Sequence, residues 1–340
     1  MKIWSDHGLS RIAGYACFVA ASSMVPLQHA AAVSCSSVAV FGAVNLGCAG
    51  PEQWAVLSLN LSGYNANGTI NTTVANHQLA FSGGSGQGGT QGSTVSNVGV
   101  YGGKIQASAG GTQLTGNVVA TDGLNSTPST TVQIDAGVLN GSVVQGATTD
   151  TLLKQARSDA ISAAGALAGM AATSGLTFAT LNSTQTISAV QNGLNVIHVN
   201  SINLGNNQTL TLDTGGHSNV KFVVDISGGW TMNSATVALG SGLDFTDVIY
   251  NTTGVSDLNW SGGLNNESSA TGILLDPGGK IGFTPGLWNG EVIGGADITF
   301  ASGATARNRL PEPNSLLLLL AGLLAVSAIK RRSSPLWNAA

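Results

Sequence analysis

The feature that most narrows the fold is a succession of short β-branched runs cut at close intervals by glycine, asparagine and aspartate. Residues 54–59, 95–101, 113–120, 131–135 and 138–144 each cluster or alternate apolar side chains, and turn-forming residues fill the gaps. A small pattern recurs within these runs: Thr115-Gly116, Asn140-Gly141, Thr271-Gly272 and Asn289-Gly290 each read as a turn and a glycine leading into an apolar strand. The intervals from Thr115 to Asn140 and from Thr271 to Asn289 are both near the length of one coil of a parallel β-solenoid. A β-sandwich would use similar short strands and is the other arrangement this pattern allows.

A solenoid also explains the composition. Each coil buries a small apolar face, its corners need residues that tolerate positive φ, and its outward positions are left to Thr, Ser and Asn. The chain is 43% hydrophobic but only 8% charged and 5% aromatic, which separates it from a disordered chain and from an ordinary globular enzyme. Between residues 33 and 310 stand 7 Lys/Arg and 14 Asp/Glu, about 7 net negative charges, so nucleic acid is not an expected partner.

One segment breaks the β pattern. Residues 151–172 place Leu153, Ala156, Ala160, Ile161, Ala164 and Leu167 on one helical face, with Asp150 or Thr151 available to cap the first turn. Alanine on that face lets a helix lie close against a flat sheet, so this helix is expected to run along one side of the solenoid.

The sequence carries little that suggests chemistry. His77, His198 and His217 stand apart without metal-ligand spacing, and no cofactor or metal is expected. Asp244 and Asp247, the nearest pair of carboxylates, flank Phe245-Thr246 just before a strand and read as turn caps. The glycine-rich stretch 83–89 lacks the lysine and following helix of a phosphate loop.

Both ends of the chain read as export signals. Lys2 and Arg11 precede an apolar stretch, 12–27, and the small residues Ala30-Ala31-Ala32, the layout of a secretory signal peptide over residues 1–32 cleaved after Ala32 or Ala30. Cys17 leaves with it. Cys35 and Cys48 remain in segment 33–48, and an oxidising destination favours a disulfide contributing on the order of 3 kcal/mol. At the other end, the apolar run 316–329 would make a helix of roughly 21 Å, short of a bilayer core of about 30 Å. Prolines lie upstream of it, and the basic cluster Lys330, Arg331 and Arg332 marks a cytoplasmic end.

Pro311-Glu312-Pro313, the apolar run and the closing basic cluster together resemble the PEP-CTERM sorting signal. That resemblance covers about the last thirty residues, 307–340 at most, and the extension after Arg332 is longer than usual. It implies a Gram-negative exported protein, held in the inner membrane until an exosortase cuts near Pro311, Glu312 and Pro313 and passes it to the outer surface. A second resemblance covers most of residues 49–306. Leu194-Asn-Val-Ile-His-Val199, Thr209-Leu-Thr-Leu212, Val248-Ile-Tyr-Asn251, Gly272-Ile-Leu-Leu-Asp-Pro277 and Asn289-Gly-Glu-Val-Ile-Gly-Gly295 resemble the choice-of-anchor A domain, related in pattern to bacterial ice-binding-like domains. This implies a right-handed parallel β-helix with one α-helix packed alongside.

The expectation for function is a non-catalytic surface or matrix protein, adhesive or associated with exopolysaccharide. The first alternative is an ice-binding protein with a flat face of regular threonines; Thr209 and Thr211 make one such pair, but that spacing does not repeat along the sequence. A polysaccharide lyase or hydrolase on a β-helix is the second alternative, with Asp244 and Asp247 as its acids.

Overall fold

The computed structural model describes residues 35, 37–65, 69–86, 89–91, 94–95, 97–254, 257–263 and 266–308. Among them 21 strands join into one continuous sheet wound as a parallel β-solenoid, with a single α-helix along its side. The intervals between the paired Thr/Asn-Gly motifs are real coil lengths: Val118 pairs with Val143, and Thr271 with Asn289. The two later Thr/Asn-Gly pairs are not turns, however. Gly272 and Gly290 lie inside the nine-residue strands Ser268–Asp276 and Gly286–Gly294, paired with each other at φ 145° and 137°. Each is the bend at which a strand passes from one face of the solenoid to the next. A Cβ on Gly290 would collide with the Gly272 carbonyl, so no other residue fits this corner without moving the backbone.

The coils are not stacked in chain order. Strand Val56–Ser58, near the start of the chain, pairs on one side with Val98–Val100 and on the other with residues 292–294 of the last long strand. The solenoid therefore begins in its own middle. Residues 54–144 build outward to one end, and the coils from Thr177 start at the far end and wind back until they close against Val56–Ser58.

The helix α1, Ala147–Ala168, makes the return journey. Its 22 residues span about 33 Å at about 1.5 Å each. The row of in-register residues beneath runs Val119, Gly99, Leu57, Ile293, Leu275, Asn251, Asp225, His198, seven steps of about 4.8 Å, or about 34 Å. The helix thus matches these eight rungs, and the stack continues one rung beyond each of its ends, to Val144 and to Thr177. Its buried residues Leu153, Ala156, Ala160, Ala163, Ala164 and Leu167 share a core with Leu57, Val196, Val223, Ile249, Ile273, Leu275 and Ile293, which point out of the solenoid beneath it. The alanines allow the close approach expected of them. Arg157 secures the middle, donating from Nε to Leu59 O at 2.9 Å and from Nη2 to Thr72 O at 2.6 Å, 4.9 Å from the centre of the Tyr101 ring.

The helix starts and ends one turn before the 151–172 expected. Gly146, at φ 136°, occupies the N-cap and offers no side-chain cap, while Gly169 N–H closes the other end on Gly165 O. Asp150 does not cap its own helix. It is fully buried, and its carboxylate accepts Asp122 N–H at 2.7 Å, Leu124 N–H at 2.6 Å and the Thr127 hydroxyl at 2.6 Å, fastening the loop before the helix.

Inside the solenoid the packing is aromatic toward the closing coils. Trp230, Tyr250, Trp260, Phe283 and Trp288 pack ring against ring with centroids 4.9 to 6.1 Å apart, and Phe81 stacks on Phe300 at 5.0 Å. Cys35 and Cys48 form a disulfide across 13 residues of sequence, in the segment that covers one flank of α1.

Candidate functional site

A three-sided solenoid with one side under a helix leaves two sheet faces open. The first is formed by Gln185–Ser188, Thr209–Asp213, Thr236–Leu239, the leading halves of Ser268–Asp276 and Gly286–Gly294, and Thr305–Arg307. Strand alternation sends Ile187, Leu210, Leu212, Val237, Ala270, Trp288 and Ala306 inward, where all are buried, and leaves the intervening residues outside.

Register then sorts the outward residues into two rows. One row runs Thr209, Thr236, Ser269, Leu287, Thr305. The neighbouring outward row holds Thr186, Thr211 and Ala238, then Thr271, Asn289 and Arg307. Rungs are about 4.8 Å apart and the rows about 6.7 Å, so hydroxyls and methyls lie on a two-dimensional grid. Threonine suits such a grid because its branched Cβ holds χ1 nearly fixed, presenting the methyl and hydroxyl at set positions. The only charge in either row is Arg307 at the end, whose Nε donates to Asn289 Oδ1 at 2.7 Å.

The second open face has a different character. Its outward row includes Asn203, Thr231, Asn259, Gly282, Thr299, Ala80, Gln106 and Gln133. These side chains bond to one another and to their neighbours: Thr231 Oγ1 to Asn203 Oδ1 at 2.9 Å, Gln78 Nε2 to Gln106 Oε1 at 3.0 Å, and Lys104 Nζ to Gln106 Oε1 at 2.9 Å. Asp297 sits beside the row with His77 at 3.3 Å and Lys280 at 3.5 Å; partial burial raises its carboxyl, but the Gln78 N–H bond, then His77 and Lys280, together hold it below the usual range. Laterally bonded amides and charges leave fewer groups for ordered water. On the threonine face Ser269 reaches Thr236 only at a long 3.3 Å.

The threonine rows escape a reading by sequence spacing because the coils differ in length. Along the first row, the interval from Thr236 to Ser269 is almost twice that from Ser269 to Leu287. Only the alignment of the inward residues Leu210, Val237, Ala270 and Trp288 would have brought Thr209, Thr236 and Ser269 together.

The other candidate residues fall into structural roles. Asp244 and Asp247 form a reciprocal cap on the short turn Phe245–Asp247: Asp244 Oδ1 accepts Thr246 N–H at 2.7 Å, and Asp247 Oδ2 accepts Asp244 N–H at 3.0 Å. Lys221 completes the corner, 3.1 Å from Asp247 Oδ1. His198 Nε2 lies 2.9 Å from Met170 O, fixing the chain just past α1. The sorting residues Pro311, Glu312 and Pro313, the apolar run 316–329, the cluster Lys330, Arg331 and Arg332, and the signal segment 1–32 lie outside the described residues.

No family model and no curated protein matches the chain. Among solved structures it is similar to an ice-binding protein from an Arctic yeast, at 19% identity and TM-score 0.43 over 79% of this chain and 96% of that one. It is also similar to an ice-binding protein from an Antarctic biological consortium, at 17% identity and TM-score 0.45 over 78% and 91%. A third is the DUF3494 domain of a Shewanella frigidimarina ice-binding protein, at 16% identity and TM-score 0.43 over 78% and 97%. These likenesses correct the expectation of an adhesive or exopolysaccharide-associated protein, and they give no support to a polysaccharide enzyme.

Proposed function

We propose that the chain is a non-catalytic ice-binding protein and that the threonine face is the surface that meets ice. The observation that carries this reading is the pair of in-register rows, Thr209/Thr236/Ser269/Leu287/Thr305 beside Thr186/Thr211/Ala238/Thr271, free of charge up to Arg307. A rigid grid of methyl and hydroxyl groups holds first-shell water at repeated positions with little side-chain entropy left to lose. Such an array gains from each added rung, because the rungs repeat their contacts at one spacing. The test is thermal hysteresis and ice-crystal shaping by the purified protein: faceted crystals and a freezing gap that grows with concentration are expected. Round, freely growing crystals at all soluble concentrations would remove the reading.

Export is part of the same proposal. The signal-like segment 1–32 and the tail bearing Pro311, Glu312 and Pro313 would send the protein through the inner membrane to an exosortase and on to the cell exterior, where extracellular ice forms. Glu312→Ala is expected to leave the protein in the inner-membrane fraction. Equal distribution of variant and wild type on fractionation would count against the tail as a sorting signal.

A further inference from the structure

The corner where strand Ser268–Asp276 turns toward the next coil holds a carboxyl that the ice-binding reading does not use. Asp276 ends that strand and has no exposure to solvent. Its Oδ1 accepts the Gly279 N–H at 2.8 Å and the Gly278 N–H at 3.3 Å, which fixes the turn after the strand, and its main-chain carbonyl accepts the Gly295 N–H at 2.8 Å. Its Oδ2 is buried without a hydrogen-bond partner; the nearby Thr252 hydroxyl makes no bond to it. Among the described residues no Lys, Arg or His comes within ion-pair distance of Asp276.

That turn is the platform for a hairpin from a distant part of the chain. The hairpin stems, residues 61–65 and 69–74, are bridged antiparallel at Leu61 with Val74 and at Tyr64 with Ile70. The Tyr64 ring fills the space that a side chain on Gly278 would need, 2.1 Å from the position of its Cβ, and the Tyr64 hydroxyl donates to Thr252 O at 2.8 Å. Leu61 N–H donates to Gly295 O at 2.6 Å, so the coil bonded to Asp276 also holds the foot of the hairpin. Tyr64 and Ile70 wall one side of a groove of about 440 Å³, and Ile161, Ala164, Gly165 and Ala168 of α1 wall the other.

We propose that Asp276 is a pH-sensitive latch for this hairpin: neutral, it keeps the turn seated under Tyr64, and ionised, it draws water into the corner, unseats the stems and opens the groove along α1. A charge without a counter-ion in a site closed to water is strongly unfavourable, and lifting the stems is the movement that hydrates it. Burial pushes the carboxyl from 3.8 up to about 6 and Asp257 adds to the rise, while Thr252 and the two glycine N–H groups oppose it. The other charged groups on the surrounding elements are engaged elsewhere: Arg157 on Leu59 O and Thr72 O, Lys280 and His77 on Asp297, and Asp225 on Asn251. An acid whose value is raised in the folded protein stabilises the seated form while neutral, so this contribution is complete below 3.8 and is lost as pH rises to about 6.

Hydrogen exchange of the full chain at about pH 4 and about pH 7, corrected for the intrinsic chemical rate, tests the latch. A two-stranded hairpin released from its platform is marginal in water, so the amides of Ser62, Asn65 and Asn71, which bond across the stems, report its release. Their protection is expected to fall about a hundredfold from the lower pH to the higher, the span from 3.8 to about 6. Asp276→Asn should show one protection factor at both pH values. His77→Gln, which removes the histidine bonded through its N–H to Asn60 at the hairpin's foot, should keep the wild-type change. Should the asparagine variant fold poorly, Gly278→Ala, whose methyl displaces the Tyr64 ring, should exchange fast at both pH values. Equal protection of the wild type at the two pH values would overturn the latch. So would a pH change that survives in Asp276→Asn or vanishes in His77→Gln, or a Gly278→Ala protein as protected at the lower pH as the wild type.

Discussion

Replacing Thr211 by tyrosine is expected to abolish most of the thermal hysteresis while leaving Tm unchanged. Thr211 pairs with Thr186 on one side and Ala238 on the other, and the Thr209 row lies beside it, so a ring standing out from this position interrupts the grid. The side chain points outward and no buried contact is removed, hence the expectation of unaltered stability. Thr231→Tyr, at an outward position of the amide face, is the matched control and should leave activity intact. If the control lost activity and Thr211→Tyr kept it, ice would meet the amide face. Equal loss from both would argue against either face acting as a discrete surface.

Asp150→Ala should lower stability by about 3 kcal/mol, a fall in Tm of roughly 6 °C. The substitution strands two backbone N–H groups, of Asp122 and Leu124, and the Thr127 hydroxyl, all of which bond to a carboxylate with no exposure to solvent. It also removes a negative charge from the first turn of α1, where the helix dipole favours one. Asp150→Asn keeps an acceptor but loses charge and one geometry, so an intermediate loss is expected. Chemical denaturation of the three proteins measures this, and a loss below about 1 kcal/mol for the alanine variant would mean that water replaces the carboxylate without cost.

Much of the architecture was legible because it depends on local rules. Strand alternation, the glycine-punctuated gaps and the coil lengths marked by Thr115 and Asn140 or by Thr271 and Asn289 all follow from residue type along the chain. The helix was readable from its alanine and leucine stripe, although the glycines at 146 and 169 set its limits and the apolar periodicity alone ran one turn too far. What could not be read depends on register between distant strands. Nothing in Val56-Leu57-Ser58 marks it as the partner of Val292-Ile293-Gly294, since apolar and small residues fill the paired strands throughout the solenoid. The threonine rows share that difficulty, because unequal loops erase their period.

The reversed stacking order bears on how the molecule matures. Pro51 and Asn308, which touch in the finished fold, are 257 residues apart in sequence, so the middle of the rod is the last part to be completed. A chain emerging from its N-terminus delivers residues 54–144 with one side of strand Val56–Ser58 unpaired until residues 292–294 arrive. That exposed strand edge is a site for mispairing, and contacts of such separation slow folding. Sealing the rod at its waist rather than at a tip also means that neither end of the stack is a chain terminus. Asn308 itself lies at that waist, on the carbonyls of Pro51 and Trp54, and not at either end of the stack.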